Sequence, residues 1–220
     1  MMTPALRRVT FTTHITSSVG WVGAATAFLA LAVIGVTSED ERTVRGAYLV
    51  MAPAAWFVLV PLAHASLLSG IALSLGTTWG LFRHYWVVLK LGITVFATVI
   101  LLIYMGTFRQ MAGVAADPVV DLAVVRNASP IVHAILALIL LIAATVLGVY
   151  KPFGMTAYGM RKQLKQPSGA RADSSALPQR ERVPSQTSTL PSLYVLGVLA
   201  LAVVLLFVIL HLMGGSLTRH

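Results

Sequence analysis

The sequence predicts an all-α, polytopic membrane protein: a four-helix transmembrane bundle with one further C-terminal transmembrane helix. Three observations predict it. Hydrophobic residues make up 57% of the 220 positions and charged residues only 10%, against roughly 25% charged in soluble domains. Mean hydropathy is +0.84, more apolar surface than a soluble fold of this size buries. Five apolar runs, residues 15–36, 47–75, 86–105, 131–150 and 193–212, reach the length of about 20 residues with which a helix crosses the hydrocarbon core. Membrane-spanning strands would alternate in polarity over segments of about ten residues, and these runs do not alternate.

The first run follows Arg7 and Arg8 and has the outline of a signal peptide. It is too long for one and its first half is rich in Thr and Ser, so it is expected to be retained, with the two arginines as a cytoplasmic anchor. The second run contains Pro53 and Pro61, each of which leaves a carbonyl without its helical donor and bends the helix. Lys90, in the third run, is the one formal charge inside any of the five. At the fourth, Ser129 reads as an N-cap with Pro130 at the first helical position, and Pro152 with Gly154 stops the helix. The region between Arg161 and Pro191 is rich in Ser, Pro, Gln and Arg and too polar to pack a core. The domain reading is a bundle at 1–155, a basic disordered cytoplasmic linker at 156–191 and an appended transmembrane helix at 192–220.

The net charge of +9 lies mostly between the apolar runs, where it reports topology rather than a nucleic-acid surface; no nucleic-acid partner is expected. Lys and Arg concentrate before the first run, between the second and third, and between the fourth and fifth. The opposite segments carry Arg42, Arg45, Arg109, Arg126 and Arg219 together with Glu39, Asp40, Glu41, Asp117 and Asp121. The positive-inside rule then places the chain as a multi-pass membrane protein, N-terminus cytoplasmic and C-terminus outside. The lipid bilayer is its first partner, anionic lipid can meet the basic linker, and the fifth helix suits docking to another membrane protein. With no cysteine there is no disulfide, thiolate metal site or cysteine nucleophile, so any metal rests on His, Met or carboxylate.

Helical spacing places the unusual residues. Thr10, His14, Ser17 or Ser18 and Trp21 form one polar stripe on the first helix, and Trp86, Lys90, Thr94 and Ala97 a comparable one on the third. Such stripes face other helices rather than lipid. At about 1.5 Å per residue, His14 and Lys90 are expected to lie roughly 8–10 Å in from the cytoplasmic ends of their helices, a shared depth consistent with one cavity. Each has a plainer reading: Lys90 snorkels to the headgroups, and His14 bonds a carbonyl. His64, on a stripe with Phe57, Val60, Leu68 and Ile71, is either a ligand or a buried neutral imidazole bonded to a carbonyl freed by Pro61. His133 and His211 fall near the outer helix ends. His84 sits with Trp79, Phe82, Tyr85 and Trp86 in an interfacial aromatic belt. Ser66, Gly70 and Ser74, like Ala137, Ala144 and Gly148, read as close helix packing.

The segments HITSSVGWVGA from His14 and LFRHYWVVLKL from Leu81 resemble an uncharacterised family of bacterial, largely actinobacterial, integral membrane proteins over residues 10–150. His14 with Trp21, and Trp86 with Lys90, also resemble the J-type protoporphyrinogen oxidases, four-helix membrane proteins that bind haem b, in which a histidine of the first helix and a lysine of the third match His14 and Lys90. This chain has Val88 where that family has a further His, which counts against protoporphyrinogen oxidation while leaving haem binding. A looser likeness joins the lysine to the copper-resistance D membrane domain. The resemblance implies haem b, with His14 as the metal ligand and Lys90, Trp21 and Trp86 as further cofactor-site residues; His64, from its place within the second run, is a further candidate for the same site. Two other functions remain in view: transport of a metal ion or small solute through His64 and the proline bends, and a non-catalytic membrane subunit or scaffold.

Overall fold

In the computed structural model the described residues are 2–77, 80–151 and 154–164. The appended helix, the linker from residue 165 onward, Trp79, Pro152 and His211 lie outside them. Every regular element among the described residues is helical: α1 Pro4–Thr37, α2 Glu41–Gly76, α3 Tyr85–Ala116, α4 Ser129–Tyr150 and the short α5 Ala157–Leu164, with a 3-10 turn at Leu122–Val124. Four of them, α1 to α4, are long and apolar enough to cross a membrane.

Local chemistry explains why three of these helices outrun their apolar cores. The Thr3 hydroxyl accepts from the Leu6 N–H with Pro4 in the first turn, so α1 begins eleven residues before the expected 15. Asp40 caps α2, accepting from the N–H groups of Arg42 and Thr43 at 3.3 and 3.1 Å and from the Thr43 hydroxyl at 2.5 Å. At the far end of α3 the helix continues through Arg109 and Gln110 to Ala116. Ser129 is not the cap of α4. It is the first helical residue, its N–H donates to Asn127 Oδ1 at 3.0 Å, and its hydroxyl pairs with Tyr104 OH at 2.9 Å.

Pro53 and Pro61 leave a definite mark on α2, a π-helical stretch at Ala55–Leu59 in which the Val60 N–H reaches back to the Ala55 carbonyl. Two missing donors within nine positions leave the α-ladder without partners there, and the wider turn absorbs the mismatch.

The four long helices pack as a square, α1 against α2 and α4, and α3 against α2 and α4, which leaves α1 and α3 on a diagonal. Short links make neighbours antiparallel. Buried residues on α1 recur at threes and fours, Ser17, Trp21, Ala25, Phe28, Ala32 and Gly35, the spacing of a bundle seam. Tyr48, fully buried, lies over Gly35, where a Cβ would come within 2.8 Å of its ring. The outward faces stay apolar, with Val19, Phe57, Leu68 and Ile103 exposed, as a hydrocarbon surround requires.

Each end of the bundle is closed differently. At one end the Arg45 guanidinium donates to the carbonyls of Val114, Ala115, Asp117 and Val120 and pairs with Glu41 at 2.6 Å, clasping the start of α2 to the end of α3. At the other, Lys151 ends α4 in the left-handed conformation, φ 42°. The chain then runs back along the α2–α3 link: the Thr156 N–H donates to the Arg83 carbonyl at 3.0 Å, and buried Gly159 sits where a Cβ would be 2.4 Å from that oxygen. The stretch expected to open a disordered linker at 156 therefore begins with the docked helix α5, because a glycine permits backbone contact there.

Candidate functional site

His14 on α1 and Lys90 on α3 face each other across the diagonal, with Lys90 Nζ 3.3 Å from His14 Nε2. The imidazole is fixed from its other side: Nδ1 lies 3.0 Å from the Ser66 carbonyl and 3.1 Å from Ser69 Oγ. A carbonyl only accepts, so Nδ1 carries the proton and Nε2 presents its lone pair. Ser69 donates its own hydrogen to the Ala65 carbonyl at 2.5 Å and is left to accept. The result is a neutral imidazole in one tautomer, with Nε2 accepting from the lysine. A neighbouring pair, Ser18 Oγ and Ser66 Oγ at 2.7 Å, ties α1 to α2 beside it.

Both residues line a cavity of about 240 Å³ together with Arg7 and Phe11 of α1, Ser66, Gly70 and Ser74 of α2, Trp86 and Thr94 of α3, and Gly148 and Lys151 at the end of α4. Arg7, Lys90 and Lys151 are three cations beside the histidine, and among the described lining residues there is no aspartate or glutamate. Its lining combines basic side chains with apolar walls. Because α1 starts at Pro4, His14 is ten residues inside its helix, about 15 Å, while Lys90 is five residues inside α3, about 7.5 Å. The equal distance from the helix ends that was expected is thus not found, yet the two side chains meet, Lys90 Nζ against His14 Nε2.

Trp86 joins the cavity, but Trp21 and His64 do not. Trp21 lines a second, smaller void of about 80 Å³ between α1, α3 and α4, with Phe28, Tyr104, Phe108 and His133. That is roughly half the ~150 Å³ of an apolar cavity that admits benzene. Aromatic packing accounts for its walls: Tyr104 meets Phe108 edge-on at 5.0 Å and stacks on His133 at 4.0 Å. His64 bonds through Nδ1 to the Val60 carbonyl at 2.8 Å, one turn back on its own helix, not to the Phe57 carbonyl that Pro61 deprives of a donor. Phe57 and Leu68, on its stripe, are 74% and 63% exposed, so that face of α2 looks outward.

Sequence patterning did not single out Arg7, Phe11, Ser69 or Lys151 as site residues. Arg7, Phe11 and His14 are spaced by four and three, one face of α1, and that spacing is the signal available for two of them. Lys151 and Ser69 join through tertiary packing. Among the described residues no group of three His or carboxylate side chains gathers to hold a metal ion. A metal at His14 would have to arrive already coordinated.

Comparison of the chain with protein-family models, with curated proteins and with solved structures returns no match.

Proposed function

We propose that this is a multi-pass protein of a bacterial inner membrane, N-terminus in the cytoplasm, that binds haem b at His14 for membrane redox chemistry. The observation that carries the reading is the oriented imidazole: Nδ1–H is held by Ser66 and Ser69, and Nε2 is turned into a cavity of cations and apolar walls. Metal-binding histidines characteristically donate their second nitrogen to a carbonyl in this way. A lone histidine suffices for haem, whose porphyrin supplies the other ligands, and haem brings one-electron redox chemistry to whatever site holds it.

The donor set fits the group in kind. His14 would hold the iron, Lys90 would take a propionate, and Trp86 and Phe11 would contribute apolar wall. At about 240 Å³ the cavity is just under the roughly 300–1,000 Å³ of small-molecule pockets, and Lys90 stands where the iron would bond, so occupation requires the lysine to turn from the imidazole. The resemblance of His14, Trp21, Trp86 and Lys90 to a haem-binding family supports the same reading, with Trp21 behind the site as packing and His64 apart from it.

Protein expressed with haem supplied and then purified should show a Soret band that His14→Ala abolishes and Lys90→Ala weakens, the first by loss of the residue that would hold the iron and the second by loss of a charge-assisted contact. Colourless protein that also takes up no added haemin would refute the proposal.

A further inference from the structure

Every α2 residue that lines the His14 cavity, from Ser66 to Ser74, lies beyond the π-helical stretch at Ala55–Leu59. The two parts of α2 on either side of that stretch are held differently. Before it, Val44, Tyr48 and Met51 are fully buried, Arg45 is clasped to the end of α3, and the Tyr48 hydroxyl donates to the Gly35 carbonyl at 3.2 Å. After it the buried side chains are small, Ala63, Ser66 and Ser69, so no large one is keyed into the core, where each would add dozens of dispersion contacts. The first part packs more on α3 and the second more on α1. Hydrogen bonds of the second part follow the same bias: Ser66 pairs with Ser18, and Ser66 and Ser69 hold Nδ1 of His14. The looser side of the second part is therefore its seam with α3, and the cavity lies along that seam, lined by Ile71 and Ser74 from α2 and by Trp86 and Thr94 from α3.

A cavity of about 240 Å³ falls below the roughly 300–1,000 Å³ of small-molecule sites, so a wall must give for a ligand of that class to enter. Helices α1, α3 and α4 have no proline past their first turn and are α-helical throughout. Among the described spans α2 alone is interrupted. We infer that Ala55–Leu59 is a hinge, and that the second part of α2, Val60–Gly76, swings on it away from α3 while keeping its hydrogen bonds to α1. The movement opens the cavity sideways to the bilayer, a route for a ligand with an apolar body. It also gives the Lys90 ammonium room to turn from His14 Nε2 while Ser66 and Ser69 keep the imidazole oriented. Interruptions of the π type are frequent at functional sites, and with Pro53 and Pro61 donating no N–H the ladder there has fewer bonds to break as it bends. The inference concerns entry of any such ligand and does not depend on the haem reading.

The chain contains no cysteine, so spin labels can be placed in pairs at exposed positions of the full chain in nanodiscs. Leu68→Cys with Val95→Cys reports the second part of α2 against α3, and Val50→Cys with Ile103→Cys reports the first part. Pulsed electron paramagnetic resonance should give a broad or two-peaked distance distribution for the Leu68–Val95 pair and one narrow peak for the Val50–Ile103 pair. A π turn holds one residue more than an α turn, so deleting the exposed Val58 together with Pro61→Ala restores a continuous α-ladder with the same face inward. In that straightened variant the Leu68–Val95 distribution should narrow to the width of the other pair. Thr94→Cys, buried in the cavity wall, should react with the apolar reagent pyrenyl maleimide roughly tenfold more slowly once α2 is straightened, in proportion to the open fraction lost. The comparison of the two label pairs in the parent chain decides even where the deletion variant does not fold, and neither distance involves haem, so a colourless protein leaves this test intact. Two equally narrow distributions in the parent chain overturn the inference, as does a Leu68–Val95 spread, or a Thr94→Cys reaction rate, that straightening leaves unchanged.

Discussion

At Gly70 a Cβ would lie 3.0 Å from Cε1 of His14, and at Gly148 a Cβ would lie 3.1 Å from Nζ of Lys90. The distances are nearly equal, but the neighbours differ in what they can give. The imidazole is pinned at Nδ1 by two oxygens, whereas the ammonium ends a flexible four-carbon stem. Overpacking a fixed group destabilises by about 1–3 kcal/mol, and replacing a helical glycine with alanine contributes about 0.5–1 kcal/mol in the other direction. Gly70→Ala should therefore lower the unfolding temperature in detergent and weaken the Soret band, and Gly148→Ala should be neutral or slightly stabilising. Gly23→Ala, where no atom lies within 4 Å, measures the propensity gain alone. If Gly70→Ala and Gly23→Ala melt alike, the imidazole is not tightly held. Sequence spacing identified both Gly70 and Gly148 as close-packing positions; it did not show that what they make room for is the site's own side chains, because that depends on which helices are neighbours.

Helix α2 shows how far an apolar pattern reports an element and where local chemistry takes over. Hydropathy marks the part of a helix that sits in hydrocarbon, so the centres of all four described spans were legible. The ends were not, because Thr3 and Asp40 start their helices through side-chain capping in polar sequence, and α3 runs on through polar residues. The proline pair was legible as a disturbance, while its form as a π-helical stretch depended on how the ladder re-pairs. Asp40 yields a test at this scale. Hydrogen bonds from the Thr43 hydroxyl and backbone hold its carboxylate below the ordinary 3.8, so the folded state favours the ionised cap. The cap's contribution is complete above the unfolded value and is lost as pH falls through the lowered folded one. Asp40→Ala should thus melt below the parent protein at neutral pH, and the gap should close as the pH is taken below about 4. A gap unchanged by acid would mean that the carboxylate's charge is not what caps α2.

The described residues are electrically lopsided along the bundle axis, and the proposed topology rests on that asymmetry. Glu39, Asp40, Glu41, Asp117 and Asp121 lie at the Arg45 end with Arg42, Arg45, Arg109 and Arg126, whereas the His14 end presents Arg7, Arg8, Arg83, Lys151, Arg161 and Lys162 without an acidic residue among those described. With 34 residues α1 is about 51 Å long, longer than the ~30 Å hydrocarbon core, so in a bilayer its charged first turns would reach the headgroups with its middle in lipid. Basic residues near span ends are retained on the cytoplasmic side during insertion, so the proposed orientation would put the candidate site in the cytoplasmic leaflet and the Arg45 clasp outside. The chain contains no cysteine, so single cysteines report sidedness without background. Ala123→Cys, in the link between α3 and α4, should react with a membrane-impermeant maleimide in intact cells. Ala157→Cys, at the start of α5, should react only after permeabilisation. Labelling of Ala157→Cys in intact cells would invert the orientation and place the cationic cavity on the outer face, where its occupant would have to come from outside the cell.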